Sequence, residues 1–445
     1  MKNSRFRQLA AFILAGAVTG YAAQASAAGF AIIEHSAKGM GNAFAGGGAI
    51  AEDASTVWFN PASMTRLPSQ MEAAGHVILP TFDFTDKGST QLDPPIPPGG
   101  PGTSPLLPGA PTTAEGGTEA FVPNFYYIRK LNESWSFGLA VNAPFGLTTE
   151  YNRNWKGRYH AIESEIIDLN VNPALAWKVN DVVSLGAGVS LNYIDAKLSN
   201  AVDFGALIGA PGSAAAEGFV ENEADDISYG FNVGIFAELS ERTRLSVAYR
   251  SQINHKLEGN ADFTNPLGIP GFFDDGISVG ASLPDSFSLS AFHMLTSKIG
   301  IMGDATWTGW SDIPELRIVF DDPTNAGGVG TSVEDLQWQD VWRLSLGVNY
   351  YQSSQLTLRA GVAYDQAPVS SPTLRTPRLP DNDRVWLAIG ASYQVNDRIS
   401  ADFGYAHLFI DDTEISRING TGARLIGTYE SNADLISLGI NYKFD

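Results

Sequence analysis

The chain contains no cysteine, so no disulfide staples it. Cations are scarce: 28 Lys and Arg stand against 48 Asp and Glu, and the formal net charge of −20 opposes nucleic-acid binding. The six histidines (35, 76, 160, 255, 293 and 407) show no metal-ligand spacing. No internal stretch offers about 18 consecutive apolar residues, so no transmembrane helix is expected. Ser190, in GAGVSLN, reads as a strand residue rather than a nucleophile at a strand-to-helix elbow. Gly186-Ala187-Gly188 in the same strand makes no phosphate loop. Neither a catalytic constellation nor a cofactor site is expected, so the chain does not read as an enzyme.

What is present begins at the amino terminus. Lys2, Arg5 and Arg7 precede an apolar run from Leu9 to Val18, and Ala25-Ser26-Ala27 forms a small-residue cleavage site. Residues 1–27 therefore read as a secretory signal peptide, with Ala28-Gly29-Phe30 opening the mature chain. An exported, acidic, cysteine-free chain rich in glycine and aromatics leaves two main readings: a secreted all-β protein or an outer-membrane barrel.

After residue 69 the dominant pattern is period-2 alternation. In LISLGINYKF (435–444), Ile436, Leu438, Ile440, Tyr442 and Phe444 share one face, while Ser437, Gly439, Asn441 and Lys443 share the other. RLSLGVNYY (343–351) and LRAGVAYD (358–365) repeat the design. The second face is small or polar, which reads as a face with no core to fill. About fourteen such segments follow one another, and their connections alternate in length. Tight turns fall at Asn132-Glu133, Asn180-Asp181, Ser240-Glu241-Arg242, Thr296-Ser297, Ser353-Ser354 and Asn396-Asp397. Long loops are expected at 87–117, 147–163, 200–224, 261–280, 321–335, 367–382 and 412–428. This is the layout of a transmembrane antiparallel β-barrel, residues 69–445, with tight turns on the periplasmic side and long loops outside. Phe444 suits the terminal signal for barrel insertion, although Asp445 follows it. Asp pairs at 225/226, 274/275, 321/322 and 411/412 lie at or near the outer loops. They read as solvated charge or as cation-bridged contacts to lipopolysaccharide phosphates.

Residues 28–68 do not alternate, yet they carry Phe30, Ile32, Ile33, Phe44, Val57, Trp58 and Phe59. A fourteen-strand barrel is too wide for its own side chains to fill. This segment is therefore expected to fold back as a plug, or hatch, in the lumen. Gly46-Gly47-Gly48 would let it pack tightly against the wall. Asn60-Pro61-Ala62 would form the rigid turn that holds it.

The mature-terminal AGF, the run GMGNAFAGGGAIAEDAS (39–55) and the NPA turn resemble the FadL family of outer-membrane channels for hydrophobic compounds. So do LPDSFSLS (283–290), TWTGWSDI (306–313), YDQAPVSSPTLRTPRLPDNDRVWLAIGASY (364–393) and DFGYAH (402–407). The resemblance covers essentially the whole mature chain. It implies a monomeric fourteen-strand barrel, resident in the outer-membrane lipid, that captures ligand outside. Ligand passes to a site beside Ala28, Gly29 and Phe30 and leaves sideways through a kinked third strand. No energy-coupling box precedes the hatch, so passive diffusion is expected. The third strand contains Ala143-Pro144-Phe145-Gly146, where Pro144 removes a ladder donor; it either kinks the strand or ends it. Capture is expected at apolar loop residues Phe204, Leu207, Ile208, Phe219, Phe263, Leu267, Ile269, Phe272 and Phe273.

In the fatty-acid branch two basic side chains hold the ligand carboxylate, and the matching positions here are Asn200 and Glu334. An unpaired Glu334 would repel a carboxylate. Asp365 keeps the acidic position that could meet the Ala28 amino group. Either another base (Lys197, Arg343 or Arg375) takes over, or the ligand is a neutral aromatic or aliphatic hydrocarbon. Long-chain fatty acid is the leading reading. A general porin, an outer-membrane enzyme and a secreted adhesin are the competing classes.

Overall fold

The computed structural model describes residues 29–92, 103–105, 110–208, 213–328 and 330–444. The expected signal peptide, Ala28, part of the proline-rich first loop and Asp445 lie outside the described residues. Fourteen main strands follow in chain order. β1 is Gln70–Asp86, β2 Ala120–Lys130, and β3 is split into Trp135–Asn142 and Gly146–Glu150. β4 is Glu163–Lys178, β5 Val183–Asp203 and β6 Glu217–Ser240. β7 (Thr243–Arg250, Ile253–Thr264), β8 (Asp275–Leu283, Ser286–Met294), β9 (Ile299–Thr308, Glu315–Phe320) and β10 (Thr331–Asp335, Val341–Tyr351) are each broken once. β11 is Leu356–Asp365, β12 Arg384–Gln394, β13 Ile399–Ile410 and β14 Ala423–Lys443.

Neighbours pair antiparallel, and β14 returns to β1 from Gln70↔Lys443 to Asp86↔Gly427, so the sheet closes into a barrel. Closure removes the edges that a membrane cannot tolerate. On β14, Leu438 and Ile440 are 63% and 59% exposed, whereas Ser437 and Asn441 on either side of them are buried. An apolar outside and a polar inside suit lipid around the barrel, not water. The six tight turns fall where expected. The strands reach further into the outer loops than alternation suggested, because above the membrane their outer face is polar. The expected loop at 412–428 even contains an extra strand, Thr413–Ile418, paired with β14.

The breaks in β7, β8 and β9 were not expected. They follow Arg250, Leu283 and Thr308, beside Pro284 and Pro314, which supply no ladder donor.

Residues 29–67 occupy the lumen. They form three single-turn helices, α1 (Ala37–Met40), α2 (Gly47–Ile50) and α3 (Thr56–Phe59), and a 3₁₀ turn at Pro61–Arg66. The inward face of the wall therefore does have a core to fill, against the sequence expectation, and its small residues are where the hatch meets it. A Cβ on Gly186 would stand 2.2 Å from the Ala62 nitrogen, and one on Gly234 would stand 2.0 Å from Asn60 Oδ1. Gly46 has φ +68° and lies against Met302, and Gly48 lies against Ser246 and Ser290. Gly47 departs from the expected wall contact: it packs on Phe59 within the hatch.

Ion pairs fasten the hatch as well. Arg359 grips Glu52 in a bidentate pair at 2.7 and 3.0 Å. Lys38 sits between Asp53 (3.7 Å) and Asp402 (3.6 Å), and Arg66 pairs with Glu238 at the end bearing the tight turns.

Candidate ligand-binding site

The NPA turn is built from one side chain. Asn60 Oδ1 accepts the Ala62 N–H (2.9 Å), while its Nδ2 donates to the carbonyls of Ile235 (3.0 Å) and Val247 (3.2 Å). Pro61 occupies the first position of the 3₁₀ turn, where its missing N–H costs nothing. The far end of the hatch is an extended segment running up the third strand. Gly146 N–H donates to the Phe30 carbonyl (2.8 Å), and Ile32 N–H donates to the Pro144 carbonyl (2.8 Å). Pro144 thus uses the only backbone polar group it has.

β3 both stops and kinks at Pro144. Asn142 pairs with Asn170 and Gly146 with Ile167, so 143–145 oppose only 168 and 169. One surplus residue makes a bulge. On the other side, the β2–β3 ladder ends at Phe125↔Val141, and contact resumes only at the Gly117↔Thr149 bridge. A window is left in the wall between these points. The hatch stands behind it, with Asn124 Nδ2 donating to the Glu34 carbonyl at 2.6 Å. Burial pushes the Glu34 carboxyl up to about 7.

Phe30 lies at the head of the hatch in an aromatic nest: Trp310 at 4.9 Å, Phe145 at 5.7 Å and Trp338 at 5.8 Å between ring centroids. Gly29 precedes it with φ +65°, and a Cβ there would stand 2.5 Å from the Trp310 ring. Phe30 also forms part of the lining of a cavity of about 650 Å³, beside the apolar side chains of Leu147, Ile194, Leu257, Val279 and Ile318. A smaller space of about 170 Å³ lies between hatch and wall, bounded by Ile32, Trp58, Pro144, Phe145, Arg250 and Arg343.

Lys256, Asp312, Glu315 and Arg317 also border the large cavity, and a further charged corner gathers around Arg378 and Glu334. Arg378 lines the cavity, with Nη1 donating to Ser164 Oγ (2.9 Å) and Nη2 to Asn200 Oδ1 (3.4 Å). Glu334, also in the lining, lies 3.5 Å from both Arg378 and Arg417. Glu334 is therefore not unpaired, and the sequence expectation is corrected. Burial alone would raise its carboxyl, but Arg378 and Arg417 outweigh burial and hold it below the ordinary range. Two guanidinium groups against one carboxylate leave this corner net positive.

The bases proposed from sequence do not line this cavity. Lys197 bridges Glu163 and Glu221 (3.3 and 3.2 Å), and Arg375 donates to the carbonyls of Asp381 and Glu414. Arg343 borders the smaller space and donates to the Ala43 carbonyl. Asp365 lies 3.9 Å from Arg343, and the acid that receives the Gly29 N–H is Asp381, at 2.8 Å. Alternation could not single out Arg378 or Asp381, because both sit in an irregular loop between β11 and β12; the family-like stretch 364–393 contains both but assigns neither a contact.

The loop aromatics also sit apart from the cavity. Phe204 is buried and meets Phe272 edge-on at 4.9 Å, and Phe272 meets Phe263 at 6.0 Å, so these rings fasten loops to one another. Arg153 caps Phe219, and Ile269 N–H binds Asn265. Leu207, Ile208, Leu267 and Phe273 are exposed at the outer end.

A closed fourteen-strand barrel, plugged from its amino terminus and holding an apolar cavity beside a breach in its wall, defines an outer-membrane channel for hydrophobic compounds. The comparisons place it more narrowly. The family described as outer membrane protein transport protein (OMPP1/FadL/TodX) matches residues 18–444, and the chain belongs to that family. It is 28% identical to the long-chain fatty acid transport protein of Escherichia coli, over 97% of this chain and 98% of the relative. Among solved structures, a FadL homologue of Pseudomonas aeruginosa is 26% identical with a TM-score of 0.82, covering 94% of this chain and 100% of its own. The toluene transporter TodX of P. putida shares the fold at 15% identity, with a TM-score of 0.68 over 92% and 98% of the two chains. The protein is thus an outer-membrane transporter of hydrophobic compounds and not an enzyme.

Proposed function

We propose that the channel carries long-chain fatty acids by passive, ligand-gated diffusion, with release sideways through the bulge in β3. The observation that carries this reading is the net-positive corner formed by Arg378, Glu334 and Arg417 at the edge of a largely apolar cavity. A cavity of about 650 Å³ falls within the roughly 300–1,000 Å³ of small-molecule sites. Its walls suit an acyl chain, and a guanidinium matches a carboxylate head. The relative named as a long-chain fatty acid transport protein supports the same substrate class. The exposed Leu207, Ile208, Leu267 and Phe273 would offer the first apolar contact outside. Phe30 would then part the cavity from the window at 143–146. The channel would work as a monomer among outer-membrane lipid and lipopolysaccharide.

A second reading is uptake of neutral aromatic or aliphatic hydrocarbons. It is favoured by the engagement of Arg378 with Glu334, Ser164 and Asn200, which lessens its need for a ligand carboxylate. A general porin is disfavoured by the packed hatch.

Labelled oleate and labelled toluene distinguish the readings in cells that lack their own hydrophobic channel. Arg378→Gln should lower oleate uptake about tenfold, the loss of roughly one charge-assisted contact, and leave toluene uptake unchanged. Toluene uptake by the wild-type chain without oleate uptake would overturn the fatty-acid reading.

A further inference from the structure

The barrel wall has a second breach. The β8–β9 ladder rises from Met294↔Gly300 to Ser286↔Thr308 and stops. It resumes only for Val279↔Ile318 through Ile277↔Phe320. Between these points, residues 280–285 face 309–317 without partner pairs. The Gly309 N–H, donating to the Asp285 carbonyl at 3.0 Å, closes the lower end.

Two other interruptions among the described residues are filled. Residues 30–34 of the hatch stand behind the β2–β3 window. The β6–β7 ladder also lapses between Asn232↔Arg250 and Asp225↔Glu258. There Ser228 Oγ donates to the Asn254 carbonyl (2.8 Å), Asp226 reaches His255 (2.9 Å), and Ser251 Oγ accepts the Phe231 N–H (2.9 Å). Among the described residues no side-chain hydrogen bond joins 280–284 to 310–317.

The large cavity runs through this breach. Successive side chains on a strand point to opposite faces of the sheet. On β8, Val279 and Leu283 face inward and Gly280 and Ser282 outward, yet all four line the cavity. On β9 the same holds for inward Ile318 and outward Arg317 and Val319. A cavity that touches both faces of two adjacent strands passes between them. Its ceiling, by contrast, is packed shut: Val220, Ala261, Ile277 and Phe320 are buried together, with Phe263 against them.

The height of the breach is fixed by the row of rings beneath it. Tyr249, Phe287, Trp307 and Trp342 stand side by side on β7 to β10 in matching register. Such rows mark the membrane boundary. Immediately above them the outward residues become polar: Asn254, Lys256, Ser282 and Glu315. Unpaired backbone is intolerable in hydrocarbon but is satisfied by water at this level.

We propose that the β8–β9 breach is a side portal through which hydrophobic compounds concentrated at the outer-leaflet boundary enter the cavity. The exposed loop residues would gather ligand at the outer surface, and ligand then enters the cavity sideways at the membrane boundary rather than down through the packed ceiling. This rests on the transport role of the family and not on the choice between fatty acid and hydrocarbon.

Gly280 offers a plug point, since a Cβ there meets no heavy atom within 4 Å. Association and release of labelled oleate, and in parallel of labelled toluene, are timed on purified Gly280→Trp and wild-type protein, with folding checked by heat-modifiable migration. Gly280→Trp, on the outward face of the breach, should slow both association and release about tenfold. Gly420→Trp, at an equally open position in an outer loop, should behave as wild type. An unchanged association rate in Gly280→Trp overturns the portal, as does a loss of equilibrium binding in a folded barrel. Binding of toluene but not oleate overturns the fatty-acid reading alone, and the portal is then judged on the toluene rates.

Discussion

At Asn60 three hydrogen bonds converge on one amide, two of them to carbonyls of different strands. The Asn-Pro pair announces a turn in any sequence; that its free hydrogens stitch β6 to β7 is visible only in the fold. His160 shows how burial sets a titration. Its Nε2 lies 3.1 Å from the Ala423 carbonyl. Burial lowers its pKa from 6.5 to about 4, with Glu334 opposing and Arg417 and Arg378 assisting. A base with a depressed folded pKa contributes stability that is full above its unfolded value and is lost as pH falls through the folded value. Thermal unfolding of the wild type should therefore show a loss of stability between pH 6.5 and about 4 that is reduced in His160→Gln. Identical pH profiles would show that His160 does not contribute.

Strand three is where element and function meet. The surplus residue at 143–145 bends the strand away from β2, and hatch residues 30–34 cover the window that results. Deleting Pro144 would equalise the count at two against two and let the ladder run straight. The expected outcome is a folded, heat-modifiable barrel whose oleate uptake falls by about tenfold or more, because a continuous ladder has no window. Uptake at the wild-type rate would place the exit elsewhere. The proline was legible as a ladder defect from sequence. Its partner contacts were not, because Phe30 and Ile32 lie more than a hundred residues away along the chain. The breaks in β7, β8 and β9 were equally hidden: polar residues above the ring of aromatics alternate too weakly to mark where pairing stops.

Across the whole molecule, two structures of different character are locked together. The barrel is held by its closed ladder. The hatch, with only single-turn helices, is held by the wall. Arg359 is almost wholly buried against Glu52. Glu52→Gln would strand that guanidinium, and breaking such a pair typically costs about 3 kcal/mol. The hatch should loosen while the barrel persists, so planar-bilayer recordings should show larger or more frequent conductance steps than the nearly closed wild type. Unchanged conductance would mean that the remaining contacts suffice.

The amino-acid order alone determined the barrel, its strand number, the alternation of tight turns with long loops and the existence of a plug. These follow from period-2 alternation, turn residues and a segment that fails to alternate, all of them local signals. The tertiary structure alone decided which wall glycines receive the hatch, that Glu334 is answered by two arginines, and where ladders lapse. Arg378 and Arg417 reach Glu334 from separate outer loops, and Gly280 faces 309–317 only because two strands part. Burial and charge pairing between such distant segments depend on how the closed sheet brings them together, which no window of sequence contains.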